Sequence, residues 1–193
     1  MKAIQWALFG IFLLFSSAIF AIEGKSSDSD PFSATSEGSQ KLGAQVLQNY
    51  SINFTTNENI TEINVNEGDI LGAIPNMQEA GILSPDITQA DMNVAPVTYA
   101  STAILYLTPL VITQVYSNPN IKGMEFKTFL NLTDDYGNPI KKQITSFNFN
   151  RELYNKINWD SFDAPKLVTL AHMKFTDWYA AKISEEGVFP SPQ

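Results

Sequence analysis

Residues 95–116 read APVTYASTAILYLTPLVITQVY, and how they fold decides the architecture. Fourteen of them are apolar, six are Ser, Thr or Gln, and two are proline. The charge-free run is longer still, since no side chain from Met92 to Ile121 is charged. Its length meets the about twenty residues that a transmembrane helix needs. Its quality does not. Pro96 and Pro109 interrupt it, Thr98, Ser101, Thr102, Thr108, Thr113 and Gln114 dilute it, and no Lys or Arg cluster flanks it to set an orientation. The favoured reading is a buried pair of elements, Tyr99–Leu107 and Leu110–Tyr116, meeting at Thr108-Pro109. The second is rich in β-branched residues and reads as a central strand. The first stays open between strand and helix. A membrane span over 95–116 is the competing reading.

Downstream the patterns are cleaner. Met124–Leu132 has strand composition, Asp134-Asp135-Tyr136-Gly137-Asn138-Pro139 is dense turn chemistry, and Ile144, Phe147 and Phe149 continue as a partner strand. A hairpin over 124–149 is expected. A single helix follows. Ser161 or Asp163 can cap it and Pro165 sits near its first turn. Val168, Ala171, Phe175, Trp178, Tyr179 and Ile183 form its apolar stripe, with Lys166, Thr169, Thr176 and Asp177 opposite. Gly187 ends it.

Upstream, Tyr50, Ile52 and Phe54 alternate with polar residues, as do Ile60, Ile63 and Val65 more loosely, which predicts two half-buried strands. Asn66-Glu67-Gly68-Asp69 supplies a turn to end the second. Two short helices come next: a turn capped by Asn76 ahead of Gly81, and a helix over 85–92 opened by Ser84-Pro85-Asp86. A short helix over 39–48 uses Leu42, Val46 and Leu47. Residues 22–38 are small and polar and read as a flexible linker, too poor in apolar groups to repay their ordering. The chain opens with Lys2, a short apolar run around Ile11–Phe15 and the small-residue end Ser16-Ser17-Ala18-Ile19-Phe20-Ala21, the parts of a secretory signal peptide. Cleavage is expected after Ala21, or else after Ala18, with an uncleaved anchor as the competing form. The organisation is therefore a signal peptide 1–21, a linker 22–38 and a single α+β domain 39–193.

The 193 residues carry a net charge of −8, one histidine and no cysteine. That excludes disulfide scaffolds, thiolate metal sites and any site needing two imidazoles. It also argues against general nucleic-acid binding, which relies on Lys and Arg at phosphates. An exported chain without disulfides fits the bacterial periplasm, outer envelope or exterior. Asn49, Asn53, Asn59 and Asn131 head glycosylation triplets, which chance explains in a chain this rich in Asn, Ser and Thr. From Leu42 to Ile121 there is no Lys or Arg and seven acids. This is read first as a solvated acidic face and second as a surface for a basic partner.

Catalytic motifs are missing: no glycine-rich phosphate loop, no nucleophile elbow and no zinc-binding histidine pair. His172 lies at the margin of the last helix's apolar face, where a packed residue is the expectation. Asn64, Asn66, Glu67 and Asp69 crowd near Gly68 without the spacing of a calcium loop. Asp160 and Asp163 beside Trp159 and Phe162 suggest a carboxylate pair with a sugar-stacking aromatic, although capping with an aromatic anchor explains them as well. No stretch carries a family signature.

The expectation is thus an α+β fold with a mixed, mostly antiparallel sheet and a C-terminal amphipathic helix packed on it. Its function is expected to be non-enzymatic. The chain would be an exported protein that binds other proteins, as a subunit of an envelope assembly such as a secretion system. Tyr99, Tyr106, Leu107, Leu110, Val111, Glu62, Glu67 and Asp69 are the candidate interaction residues. No cofactor, metal or nucleic acid is expected, and membrane association stays open. A carboxylate-based glycan hydrolase and an envelope protein tethered by 95–116 are the competing functions.

Overall fold

The computed structural model describes residues 45–187. The expected signal peptide, the linker, the opening of the helix over 39–48 and the chain beyond Gly187 lie outside the described residues. Residues 45–49 are helical, and Leu47 is buried in the core.

Five strands form one sheet in the order β1 (Ile52–Asn57), β2 (Ile60–Asn66), β3 (Gly123–Thr133), β4 (Pro139–Asn150) and β5 (Lys174–Phe175). Three of the four pairings are antiparallel, and β2 pairs with β3 in parallel. The fold is α+β, as the sequence predicts. Period-two patterning gives the sheet one buried face. Ile63, Val65, Met124, Phe126 and Leu130 point inward, while Glu62, Asn64, Glu125 and Lys127 alternate outward. The hairpin β3–β4 matches its expected span to within a residue at each end. At its turn Asp134 accepts from the backbone N–H of Tyr136 and Asn138, and these hydrogen bonds hold its carboxyl below the usual range.

The parallel pairing obliges the chain to cross over between β2 and β3. It does so through three helices on the buried face: α1 (Glu67–Glu79), α2 (Gln89–Val94) and α3 (Pro96–Tyr116). The expected turn at 66–69 is instead the start of α1. Glu67 and Asp69 sit in its first turn, where the helix dipole favours acids. No shorter turn begins at Asn76, because α1 runs through Pro75 and stops at Gly81, whose φ of 71° makes it the C-terminal breaker. Ser84 does not open a helix. It accepts from the Asp86 N–H, and α2 starts later, where Thr88 and Asp91 form a reciprocal capping box.

The decisive stretch is one continuous helix, not two elements meeting at Thr108-Pro109. Pro96 occupies its first turn, and Pro109 lies inside it. An interior proline costs a helical hydrogen bond, but α3 is buried almost all round, against α1, α2, β1 and the last helix of the chain. Burial of that extent outweighs the local penalty, since helices in folds draw most of their stability from packing. The length and hydropathy that suggested a membrane span belong here to a core helix, 67% buried over its most apolar window.

The charges that α3 lacks come from the far end of the chain. The Glu186 carboxylate accepts from the N–H groups of Val97 and Thr98 and from the Thr98 hydroxyl, at 3.1, 2.9 and 2.7 Å. At the other end Arg151 donates to the carbonyls of Tyr116 and Ile121 at 2.7 and 3.0 Å and to that of Asn118, and it lies over the Tyr116 ring. An acid at the N-terminus and a cation at the C-terminus answer both the dipole and the unpaired terminal groups.

The single helix expected over the C-terminal stretch is divided. After α4 (Arg151–Lys156) and a 3₁₀ turn at Trp159–Ser161, which precede that span, it becomes two short helices, α5 (Lys166–Leu170) and α6 (Asp177–Glu185), separated by β5. The break falls at His172, which adopts a left-handed φ of 48° and returns the chain to the sheet edge. Thr176, expected mid-helix, is the N-cap of α6, accepting from the Tyr179 N–H. The amphipathic helix α6 packs against β4 and α3, with Tyr179 buried, and Gly187 ends it with a φ of 69°.

Candidate functional site

Along β3 and β4 the inward residues change character. Phe126 and Phe147 face each other in register and stack at 5.1 Å. The next inward pair is Thr128 and Thr145. Just beyond it the register shifts, because Ile144 is an extra residue of β4. This β-bulge puts two successive residues, Ile144 and Thr145, on the buried side, 2% and 4% exposed. Two threonines thus stand where aromatics would otherwise fill the space, and the helices above do not collapse onto them.

The result is a cavity of about 300 Å³. Its floor is Thr128, Ile144 and Thr145, and one wall is α3 from Ser101 to Thr108. The other wall is C-terminal: Pro165 and Val168, then Met173 and Phe175, then Tyr179, Ala180 and Ile183 of α6. Phe175 and Ala180 are exposed and form the rim. Among the described residues, no charged side chain lines it.

Specific hydrogen bonds hold the C-terminal wall in place. The Thr176 N–H donates to the Ile144 carbonyl at the bulge, and its hydroxyl donates to Gln143. Thr145 donates to the Lys174 carbonyl at 2.9 Å. Ser101 and Tyr179 share a buried hydrogen bond of 2.7 Å across the cavity from α3 to α6. The Glu186 clamp fixes the end of α6 to the start of α3. Burial raises the Tyr179 hydroxyl above its ordinary pKa, and burial beside the Asp163 carboxylate pushes Tyr106 to about 12, so both stay protonated.

The residues singled out by the sequence scatter. Tyr99, Leu107 and Val111 are buried in the core, so an interface over this stretch has no access to them. Leu110 is half-buried and Tyr106 lines the cavity. Glu62 lies on the outer face of the sheet, paired at 3.2 Å with Lys141, which crosses the Phe129 ring to reach it. Glu67 and Asp69 belong to α1. Burial, with Glu186 nearby, raises the Glu67 carboxyl, and Asp69 accepts from Asn66. Trp159 is wedged among Phe149, Tyr154 and Phe162, its N–H donated to the Tyr154 carbonyl, as an anchor rather than an open stacking platform. Asp163 pairs with Lys166 at 3.6 Å. His172 is exposed in its turn, not packed on a helix. Among the described residues, no three acidic or imidazole groups converge as a metal site.

Sequence reasoning missed Thr128, Thr145 and the bulge. One signal was present: Ile144 and Phe147 are three apart, not two, and that break in parity marks the extra residue. No family model, no curated protein and no solved structure matches this chain.

Proposed function

We propose that the chain is a non-enzymatic binding protein, exported from the cytosol, whose working part is the apolar cavity between α3, the β-bulge and α6. The cavity carries this reading. Its volume is at the small end of the roughly 300–1,000 Å³ range of ligand pockets. Its walls are mostly apolar surface, its mouth is open at Phe175 and Ala180, and among the described residues its lining includes neither a carboxylate pair nor the histidine. The export part rests on the leading twenty-one residues of the sequence.

Ethylbenzene is a suitable probe of an apolar site of this size. It should raise the thermal midpoint of the purified protein in proportion to the logarithm of its concentration. Val168→Phe, which fills the cavity, should abolish that rise while leaving a cooperative transition. A midpoint that ignores ethylbenzene in the parent protein would overturn the proposal.

A second reading keeps the exported protein as a binder of other proteins, a subunit of an envelope assembly such as a secretion system. It draws on the large apolar side chains left exposed among the described residues: Val94 at the end of α2, Tyr136 at the hairpin tip, and Leu170 and Phe175 near the C-terminal wall. Co-purification of a defined partner from the native host, lost on Tyr136→Ser or Leu170→Ser with the ethylbenzene response intact, would favour it.

A further inference from the structure

The hydroxyls around the cavity are unequal, and their protons can be followed one by one. The Ser101 hydroxyl donates to the Thr98 carbonyl at 2.9 Å. In its 2.7 Å contact with Tyr179 it must therefore accept, and Tyr179 is the donor. Thr102 donates to the same Thr98 carbonyl at 2.8 Å, Thr108 to Ile104 at 2.8 Å and Thr145 to Lys174 at 2.9 Å. Five of the lining hydroxyls thus have their protons engaged by the protein. Thr128 and Tyr106 make no side-chain hydrogen bond among the described residues. Tyr106 is only half-buried, so water can serve it. Thr128 is 2% exposed and lies on the floor of the cavity, so what fills the cavity is what its hydroxyl can reach.

Charge narrows the ligand further. Among the described residues the lining has no ionised side chain, so a carboxylate or ammonium head would enter without a counter-charge in the lining, which is costly in an apolar site. Asp163, whose charge acts on Tyr106, is not among the lining residues; its Oδ2 pairs with Lys166 at 3.6 Å, while its buried Oδ1 has no hydrogen-bond partner among the described residues, so benzylamine is the probe that tests its reach. From these observations we infer that the cavity takes a small neutral molecule, apolar over most of its surface, with one hydrogen-bond acceptor that receives the Thr128 hydroxyl. A ketone or ester on a single ring or short chain is the chemical class. The inference rests on the cavity being a ligand site, and the experiment separates the two.

Four probes of nearly equal size serve: ethylbenzene, acetophenone, benzoate and benzylamine, with affinities from ligand-observed NMR. Acetophenone should bind more tightly than ethylbenzene by about two- to tenfold, the worth of one net hydrogen bond. Thr128→Val keeps the shape, so it should erase that preference, read as the ratio of the two affinities. Thr128→Ser keeps the hydroxyl and should keep the preference. Tyr106→Phe should keep it too. Benzoate and benzylamine should bind more weakly than either neutral probe.

If both neutral probes bind and Thr128→Val does not alter their ratio, the acceptor assignment is overturned while the cavity stands. That assignment also fails if Tyr106→Phe removes the preference, or if a charged probe binds best. If no probe binds, the ligand reading itself falls. A several-fold gain in affinity for both neutral probes on ending the chain at Gly187 would also overturn it, by making the chain's own last residues the occupant.

Discussion

The two halves of α3 cover the same two strands and meet opposite packing. The C-terminal half, Val111 to Tyr116, lies on a continuous aromatic cluster. Tyr116, Phe126, Phe147, Phe149, Tyr154 and Trp159 touch one another with ring centroids 5.0–6.5 Å apart. The N-terminal half, Ser101 to Thr108, lies over Thr128, Ile144 and Thr145 and encloses the cavity. One step along the register, from Phe126–Phe147 to Thr128–Thr145, separates the filled half from the hollow one. The filled half supplies burial energy, since each aromatic covers about 150–250 Å². The hollow half forgoes it, and so its walls are held by directed hydrogen bonds instead of by close packing.

The largest effect should come from neighbouring positions on β3. Phe126→Ala removes a fully buried ring from the filled half and should cost about 3–5 kcal/mol in urea unfolding. Thr128→Ala, two residues on and nearly as buried, should cost under about 1.5 kcal/mol, because it adds little to a void already there and its hydroxyl makes no side-chain hydrogen bond among the described residues. Equal losses at the two sites would mean that the halves do not differ as described.

The ends of α3 give the next contrast. Arg151→Ala strips three carbonyls of their donor and unstacks Tyr116, and should cost about 2–3 kcal/mol. Arg151→Lys should recover only part, since an ammonium cannot reproduce the planar fork. Glu186→Ala removes a cap on the hollow side and should cost about 1 kcal/mol. Hydrogen exchange should rise across α6 in the Glu186 variant and not in the aromatic cluster.

Enlarging a side chain should separate the halves by sign. Val115→Phe forces a ring into a packed region and should cost about 1–3 kcal/mol. Val168→Phe places the same ring at the cavity wall and should stabilise by about 0.5–2 kcal/mol. A thermal scan of the two variants suffices. Destabilisation by both would indicate that the hollow half cannot accept added volume.

This contrast also explains how much could be read from sequence. The sheet face, the 124–149 hairpin, the first two strands and the α+β class follow from period-two patterning, which local residues impose directly. The form of α3 does not. Its prolines and β-branched residues argue locally for a break, and only burial by α1, α2 and the distant caps Glu186 and Arg151 overrides them. The last helix failed in the reverse direction. Its apolar spacing is genuinely helical, but Phe175 belongs to β5 and Tyr179 to α6, on opposite sides of the Thr176 N-cap, and the left-handed turn at His172 leaves no mark in an apolar-spacing pattern. The cavity was hidden for a third reason. It is made of what is small at two paired positions, and patterning registers what is apolar, not what is missing in volume.

The smallest effect concerns Glu67, where α1 and α6 approach beside the hollow half. The first turn of α1 favours its charge and Lys182 helps, but burial and Glu186 oppose it, and burial is the largest influence, so the carboxyl is raised above 4.5. A group with a raised folded pKa contributes its full stability below the unfolded value and loses it as pH rises through the folded one. The charged form is therefore mildly unfavourable at neutral pH. Glu67→Gln should raise the thermal midpoint at pH 7 by an amount worth less than about 1 kcal/mol, because the site is half exposed. At pH 3, where the parent is already protonated, the two midpoints should coincide. A gain that persists at pH 3 would assign the effect to packing of the amide and not to the charge beside Glu186.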